Sequence, residues 1–364
     1  MKILGIETSC DETAAAVVED GRRLLSNVVA SSVDLHAVYG GVVPEIAARS
    51  HIESILPVID EALKTAFQGR ALEMAEMWSN IDAIAVTRGP GLSGSLLIGV
   101  LTARTLAIAK NKPLYAVNHV EAHVYATFIT EKAKSLKLKA ISLNNKQPEF
   151  PILALIVSGG HSQLVLFKNH FDYKILGQTA DDAVGEAFDK VAKILGLPYP
   201  GGPSVSQAAK EGNPNALLLP KARMQNGYDY SFSGLKTAVL RAAQQMVGKD
   251  FTFPSSALPA VLNASQKANL AASFQHTAIQ TLVDGLKAAS EEFEPKSIVI
   301  AGGVAANREL RTQADKLTPK PIYTDIKLCT DNAAMIAANA YYQASNKQPV
   351  ADPYSLEIDP GLQM

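Results

Sequence analysis

The sequence carries almost no surplus charge: 34 lysines and arginines stand against 35 aspartates and glutamates, a formal net charge of −1. That balance removes any overall electrostatic argument for nucleic acid and leaves only local basic patches to consider. Cysteine is nearly absent. Cys10 and Cys329 imply no disulfide framework, and both are expected to be small buried hydrophobes. Long apolar runs are missing too: the best, Leu96 to Ala109, is short for a bilayer and contains Thr102 and Arg104. No leader pattern is found, because Met1-Lys2 runs straight into a strand-like segment, Ile3 to Ile6. These absences point to a cytoplasmic protein without membrane association.

What is present is a chain of 364 residues, 47% hydrophobic, enough for two packed domains. Short apolar runs alternate with longer amphipathic stretches, which argues for α/β layering. Strands are expected at Lys2–Glu7, Ala14–Glu19, 22–31, 81–86 and 114–117, and helices at 44–67, broken or kinked at Pro57, and at 93–109. The plan then repeats, with strands at Ile152–Val157, 163–167, 173–176 and Ser297–Ala301. Helices are expected at 183–195, 270–292, from Arg308, and at 332–344. Two copies of hairpin, strand and helix suggest a duplicated two-domain architecture with a cleft between the copies. The expected division is 1–129, completed by 331–364, then a connector at 130–150, and 151–330. The connector is lysine-rich, and reads either as a solvated linker or as a basic arm for RNA phosphates.

Chemistry is most legible in Asn118-His119-Val120-Glu121-Ala122-His123, where a strand meets a helix. Helical residues four apart lie about 40° apart around the axis and roughly 6 Å along it, so both imidazoles can reach one ion. Glu121 falls on the far side, unlike the glutamate of H-E-x-x-H, which argues against a zinc peptidase. A third ligand is offered by Cys329-Thr330-Asp331, and two histidines with one carboxylate would leave positions open for substrate. The competing reading makes Asp331 a helix N-cap. Further along, Val157-Ser158-Gly159-Gly160-His161 reads as a hairpin turn whose amides a ligand could approach. Asp182 reads as the cap of a helix carrying Asp189, and Tyr199-Pro200-Gly201-Gly202-Pro203 as a loop. Ala301-Gly302-Gly303 through Asn307 reads as a glycine loop opening a helix, suited to adenosine.

Taken in order, these segments resemble the tRNA adenosine threonylcarbamoyltransferase family. The resemblance begins at Ile3-Leu4-Gly5-Ile6-Glu7-Thr8-Ser9-Cys10-Asp11-Glu12-Thr13 and ends at Asp331-Asn332. Between these lie Tyr39-Gly40-Gly41-Val42-Val43-Pro44-Glu45, Gly89-Pro90-Gly91-Leu92, and Ser231-Phe232-Ser233-Gly234-Leu235-Lys236-Thr237. It implies a duplicated actin/Hsp70/sugar-kinase-like, ribonuclease H-like fold and transfer of threonylcarbamoyl from its adenylate to a tRNA adenosine. It also implies one divalent metal, iron with zinc as the alternative, on His119, His123 and Asp331. The adenylate donor would meet Ile156, Val157, Ser158, Gly159, Gly160, Asp189, Gly202 and Asn307. Asp11 and Glu12 match the family's acidic pair, with a catalytic or substrate-positioning role. The implied partners are tRNA, an inactive paralogue subunit and a small P-loop ATPase. Ala122 and Ala305 depart from the usual glycine and serine. The rival readings are a metallopeptidase and an ATP-binding kinase-like module on the same fold.

Overall fold

The computed structural model describes residues 1–68, 72–133, 146–222 and 227–364. Two compact units form: Met1–Pro148 with Tyr323–Met364, and Glu149–Ile322. Residues 134–145, most of the expected lysine-rich connector, lie outside the described residues.

The first unit is a sheet of β1 (Lys2–Glu7), β2 (Glu12–Glu19), β3 (Arg23–Ser31), β4 (Ala83–Gly89), β5 (Leu114–Asn118) and β6 (Glu131–Lys132), in the order β5-β4-β1-β2-β3-β6. β1, β2 and β3 form an antiparallel meander, while β1, β4 and β5 run parallel. The parallel strands are buried almost throughout, which is why they read as unbroken apolar runs. The helix Ala333–Ser345 packs directly on β1. Glycine at position 5 permits this, since a Cβ there would sit 2.3 Å from the Ala333 carbonyl oxygen. That close approach delivers the residues just before the helix to the unit's first strand.

The second unit repeats the plan with β7 (Ile152–Val157), β8 (Ser162–Asn169), β9 (Asp172–Gln178), β10 (Ser297–Ala301) and β11 (Ile322–Tyr323), in the order β11-β10-β7-β8-β9. β7, β8 and β9 are an antiparallel meander and β10 joins β7 in parallel, as β4 joins β1. The duplication expected from the sequence is therefore present strand for strand over the central five positions.

Three local expectations change. Pro57 does not interrupt its helix, which runs from Pro44 to Ala66. The carbonyl left without a donor belongs to Glu53, on the exposed face where water can serve it. The segment expected as a loop at Tyr199–Pro203 instead opens the helix Gly201–Ala209, with Pro200 at its N-cap. Pro203 falls in the first turn, where a missing amide hydrogen costs nothing. The helix Val184–Leu195 is preceded by Ala183, not capped by Asp182, whose carboxylate instead bridges Lys190 and Lys236 at 2.6 and 2.9 Å.

Among the described residues, Ser93–Lys110 is the helix long and apolar enough to cross a bilayer by length and composition. Its apolar character matches its packing against β4 and the helix Pro44–Ala66. Arg104 is tied by hydrogen bonds to the carbonyls of Pro353, Tyr354 and Leu356.

Candidate metal centre and nucleotide-binding segments

β5 ends at Asn118, whose side-chain oxygen accepts from the amides of Val120 and Glu121 and so starts the helix His119–Tyr125 at once. This cap aims both histidines at the carboxyl edge of the parallel strands, where α/β sheets commonly place their sites. The imidazoles stand edge to face with centroids 4.8 Å apart. Their Nε2 atoms lie 3.4 Å (His119) and 3.5 Å (His123) from the same oxygen of Asp331. All three donor atoms fall within 4.8 Å of one another.

Asp331 is not the helix cap. That task belongs to Asn332, whose oxygen accepts from the Met335 amide at 3.1 Å. The carboxylate one residue earlier is thus directed at the histidines.

Behind His119 lies Glu7, fully buried at the end of β1. Its Oε2 is 3.0 Å from His119 Nδ1, and it also accepts from Thr87 on β4. Its other oxygen accepts from the Ser9 amide. Glu7 thereby claims Nδ1 and leaves Nε2 as the nitrogen facing Asp331, the arrangement a metal-binding imidazole uses. Burial alone would lower the His119 pKa, but the carboxylates of Asp331 and Glu7 outweigh it and hold the group well above its ordinary value. Burial would likewise raise Glu7, and the His119 charge and hydrogen bond reverse that.

Asp11 ends the turn after β1 and Glu12 opens β2. Glu12 is pushed up to about 10 by burial, then by the Asp331 and Asp11 carboxylates. Burial also pushes the Cys10 thiol far up, so it is no thiolate at neutral pH. Several carboxylates therefore crowd the two imidazoles. That donor set fits a divalent cation of intermediate hardness.

Glu121 is turned the other way. Its carboxylate accepts from Asn339 on the last helix at 2.8 Å. Cys329 is wholly buried, and its thiol faces the Thr324 carbonyl.

The second unit carries the remaining sequence-derived positions. Ile156 and Val157 are fully buried in β7, so only their backbone is available. The turn that follows is closed by Ser158 and His161. Gly159 and Gly160 stand open, with nothing within 4 Å of a would-be Cβ, and the same holds for Gly202 and Gly303. Asp189 accepts from the Gly201 amide at 2.7 Å. Asn307 caps the helix Arg308–Ala314 through its oxygen and donates its amide to Ser206 and Gln275.

A family model for tRNA N6-adenosine threonylcarbamoyltransferase, TsaD, matches residues 23–338. The chain belongs to that family. Its relatives of that name include one from Thermomicrobium roseum, 50% identical over 94% of this chain and 92% of the relative. Another, from Bacillus subtilis, is 43% identical over 100% and 96%. The duplicated actin-like fold is shared with solved structures such as HypF of T. kodakarensis, with a TM-score of 0.57 at 13% identity, covering 95% of this chain and 48% of that one. The protein is thus a transferase of the tRNA-modifying TsaD family.

Against the family pattern, the two departures are both wholly buried: Ala122 in the histidine helix and Ala305 in the glycine loop. Glu7 is the residue that reading the motifs for ligands overlooks. Its signal was a lone carboxylate ending the apolar run Ile3-Leu4-Gly5-Ile6, since a buried charge demands a partner.

Proposed function

We propose that this protein moves threonylcarbamoyl from threonylcarbamoyl-adenylate to N6 of the adenosine just 3′ of the anticodon, in tRNAs reading ANN codons. The observation that carries the metal's part is the convergence of His119 and His123 on one oxygen of Asp331, with Glu7 behind. His119, His123 and Asp331 would hold the ion, iron by family resemblance and zinc as the alternative. When bound, the ion supplies Lewis acidity to the acyl oxygen with coordination positions left open.

In the transfer the N6–carbonyl bond forms and the carbonyl–phosphate oxygen bond breaks. AMP leaves with the electron pair, and one amine proton passes to a base. The exocyclic amine is a poor nucleophile, so positioning contributes heavily. Asp11 and Glu12, beside Asp331, are assigned a catalytic or substrate-positioning role. The open backbone at Gly159, Gly160 and Gly202, with Ser158, Asp189 and Asn307 and the backbone of Ile156 and Val157, is assigned to the adenylate. Backbone donors of this kind suit a phosphate and a developing oxyanion.

The setting we propose is the cytoplasm, with tRNA as acceptor and an inactive paralogue and a small P-loop ATPase as partners. Apolar side chains exposed on two packed helices, Ile52 and Leu56 on one and Leu97 and Leu101 on the other, offer the paralogue a surface to cover. The test is reconstitution: protein and partners with unmodified tRNA, threonine, bicarbonate, ATP and the adenylate-forming enzyme. Modified adenosine is expected. No product, where a known family member succeeds, overturns the proposal.

A further inference from the structure

Two backbone segments of the second unit lie open to a ligand: the start of the helix Gly201–Ala209, at Gly202, and the loop Gly302–Asn307, at Gly303. They are far apart in sequence, and a side chain from a third element braces both. Gln275, on the long helix Ala264–Phe293, accepts at its Oε1 from Ser206 Oγ at 2.8 Å and from Asn307 Nδ2 at 2.9 Å. Asn307 Nδ2 also donates to Ser206 Oγ at 3.1 Å, so the three side chains form a closed ring.

The orientation of this ring is forced. Asn307 Oδ1 is claimed by the backbone amide of Leu310 at 3.1 Å, which fixes the other end of that amide as the donor. Gln275 must then present its oxygen, and Ser206 must pass its hydrogen to Gln275 while accepting from Asn307. Each member has one arrangement, and the ring has no rotational slack to lose when a ligand arrives.

The side chain of Asn307 is therefore held in place by the cap and the ring. The Gly201 end is separately pinned, through its amide, to Asp189. What remains to be set is the spacing between the amides at Gly202 and those at Gly303, and Gln275, accepting from both Ser206 and Asn307, braces the direct Asn307–Ser206 bond that holds it. Backbone donors aimed at a phosphate lose effect quickly when misplaced by an ångström.

We propose that Gln275 is a positioning residue of the adenylate site, acting through Ser206 and Asn307 without touching the ligand; this rests on the donor-site reading above. Its loss leaves the Asn307–Ser206 bond unbraced and lets the spacing of the two segments loosen. The donor is then held less well, and the acyl-transfer step is changed little once the donor is bound.

The experiment compares the wild type with Gln275→Leu, which removes the acceptor, Gln275→Glu, which keeps it, and Ser206→Ala. Each is measured for melting temperature, for AMP binding by equilibrium dialysis, and for KM and kcat toward threonylcarbamoyl-adenylate in the reconstituted complex. Gln275→Leu and Ser206→Ala are expected to raise KM and the AMP Kd roughly tenfold, the size of one lost polar contact. kcat is expected to stay within twofold, and Gln275→Glu to keep near wild-type KM and Kd. A lower melting temperature with unchanged KM and Kd makes Gln275 merely structural and overturns the inference. A wild type that binds AMP but modifies no tRNA overturns the transferase proposal, and the Kd comparison still decides Gln275. A wild type that neither binds AMP nor turns over removes the donor site and the inference with it.

Discussion

Glu7 and His119 are 112 residues apart in sequence and 3.0 Å apart in the fold, carboxylate oxygen to Nδ1. The contact exists because β1 and β5 flank β4 in one parallel array, so the last residue of β1 comes to the residue that follows β5. Glu7 is completely buried, and its carboxylate is shared among His119, Ser9 and Thr87. It sets which nitrogen of His119 is available to an ion.

Replacing Glu7 by glutamine keeps an oxygen for the Nδ1 hydrogen but removes the charge that makes the ring a better ligand. Metal affinity of Glu7→Gln is expected to fall roughly 10- to 100-fold, the usual cost of losing such a partner behind a ligand. Competition with a chromogenic chelator measures it. Affinity equal to the wild type would show that Glu7 serves only the fold.

Glu121 separates the transferase from a peptidase. Its carboxylate is bonded to Asn339 and turned from the histidines, and glutamine keeps an oxygen for that bond, so Glu121→Gln is expected to retain metal content and to modify tRNA within about twofold of the wild type. A metal-dependent proteolytic activity abolished by this substitution would reverse the assignment.

Much of this was legible in the sequence, and the part that was not has a common cause. Periodicity located both meanders and the histidine helix because those patterns are local. The pairing of Asp331 with the histidines depends on Gly5 admitting the last helix onto β1, and no window of sequence displays that contact. The resemblance to the family supplied it instead. Pro200-Gly201-Gly202-Pro203 looks like a turn by composition. In the fold Gly201 is needed because a Cβ would meet Asp189 Cα at 2.5 Å, and Pro203 sits where a helix tolerates it. Glu7 reads as the end of a strand and one letter of the opening motif, since a strand pattern says which face is buried and not what charge waits there.

The glycines divide into two kinds, and substitution tells them apart. Gly302 has φ of +91° and a Cβ there would lie 2.4 Å from the Val157 carbonyl oxygen, so Gly302→Ala is expected to destabilise the protein. The cost is about 3 kcal/mol by urea unfolding, as strain and overlap act together. Gly202→Ala and Gly303→Ala meet nothing within 4 Å and should leave the melting temperature in place. If the adenylate approaches these amides, both variants raise its KM by about tenfold, equivalent to ~1.4 kcal/mol. Unchanged KM in both would remove these glycines from the donor site.

Asn332 is wholly buried, caps the last helix, and donates to the carbonyls of Leu328 and Thr330. Asn332→Ala should cost about 2 kcal/mol of stability, through the lost cap and the unpaired carbonyls, and should loosen metal binding at its neighbour Asp331. Denaturant titration with and without added metal separates the two effects. A stable variant with normal metal content would contradict the role given to this cap.

His170 packs edge to face on Phe150, and burial lowers its pKa to about 4. An unfolded chain takes up that proton nearer 6.5, so the neutral ring favours the folded state fully above that pH. The contribution fades as pH falls from about 6.5 toward 4. Melting temperature should therefore drop less steeply over this window in His170→Asn than in the wild type, and identical slopes would refute the assignment.

The central claim, that His119, His123 and Asp331 hold one ion, is tested most directly by elemental analysis of the purified wild type beside His123→Ala and Asp331→Ala. The account predicts about one divalent metal ion per chain in the wild type, as a single site of three convergent donors allows, and a large loss in both variants. Equal metal in all three proteins, each shown to be folded, would contradict it.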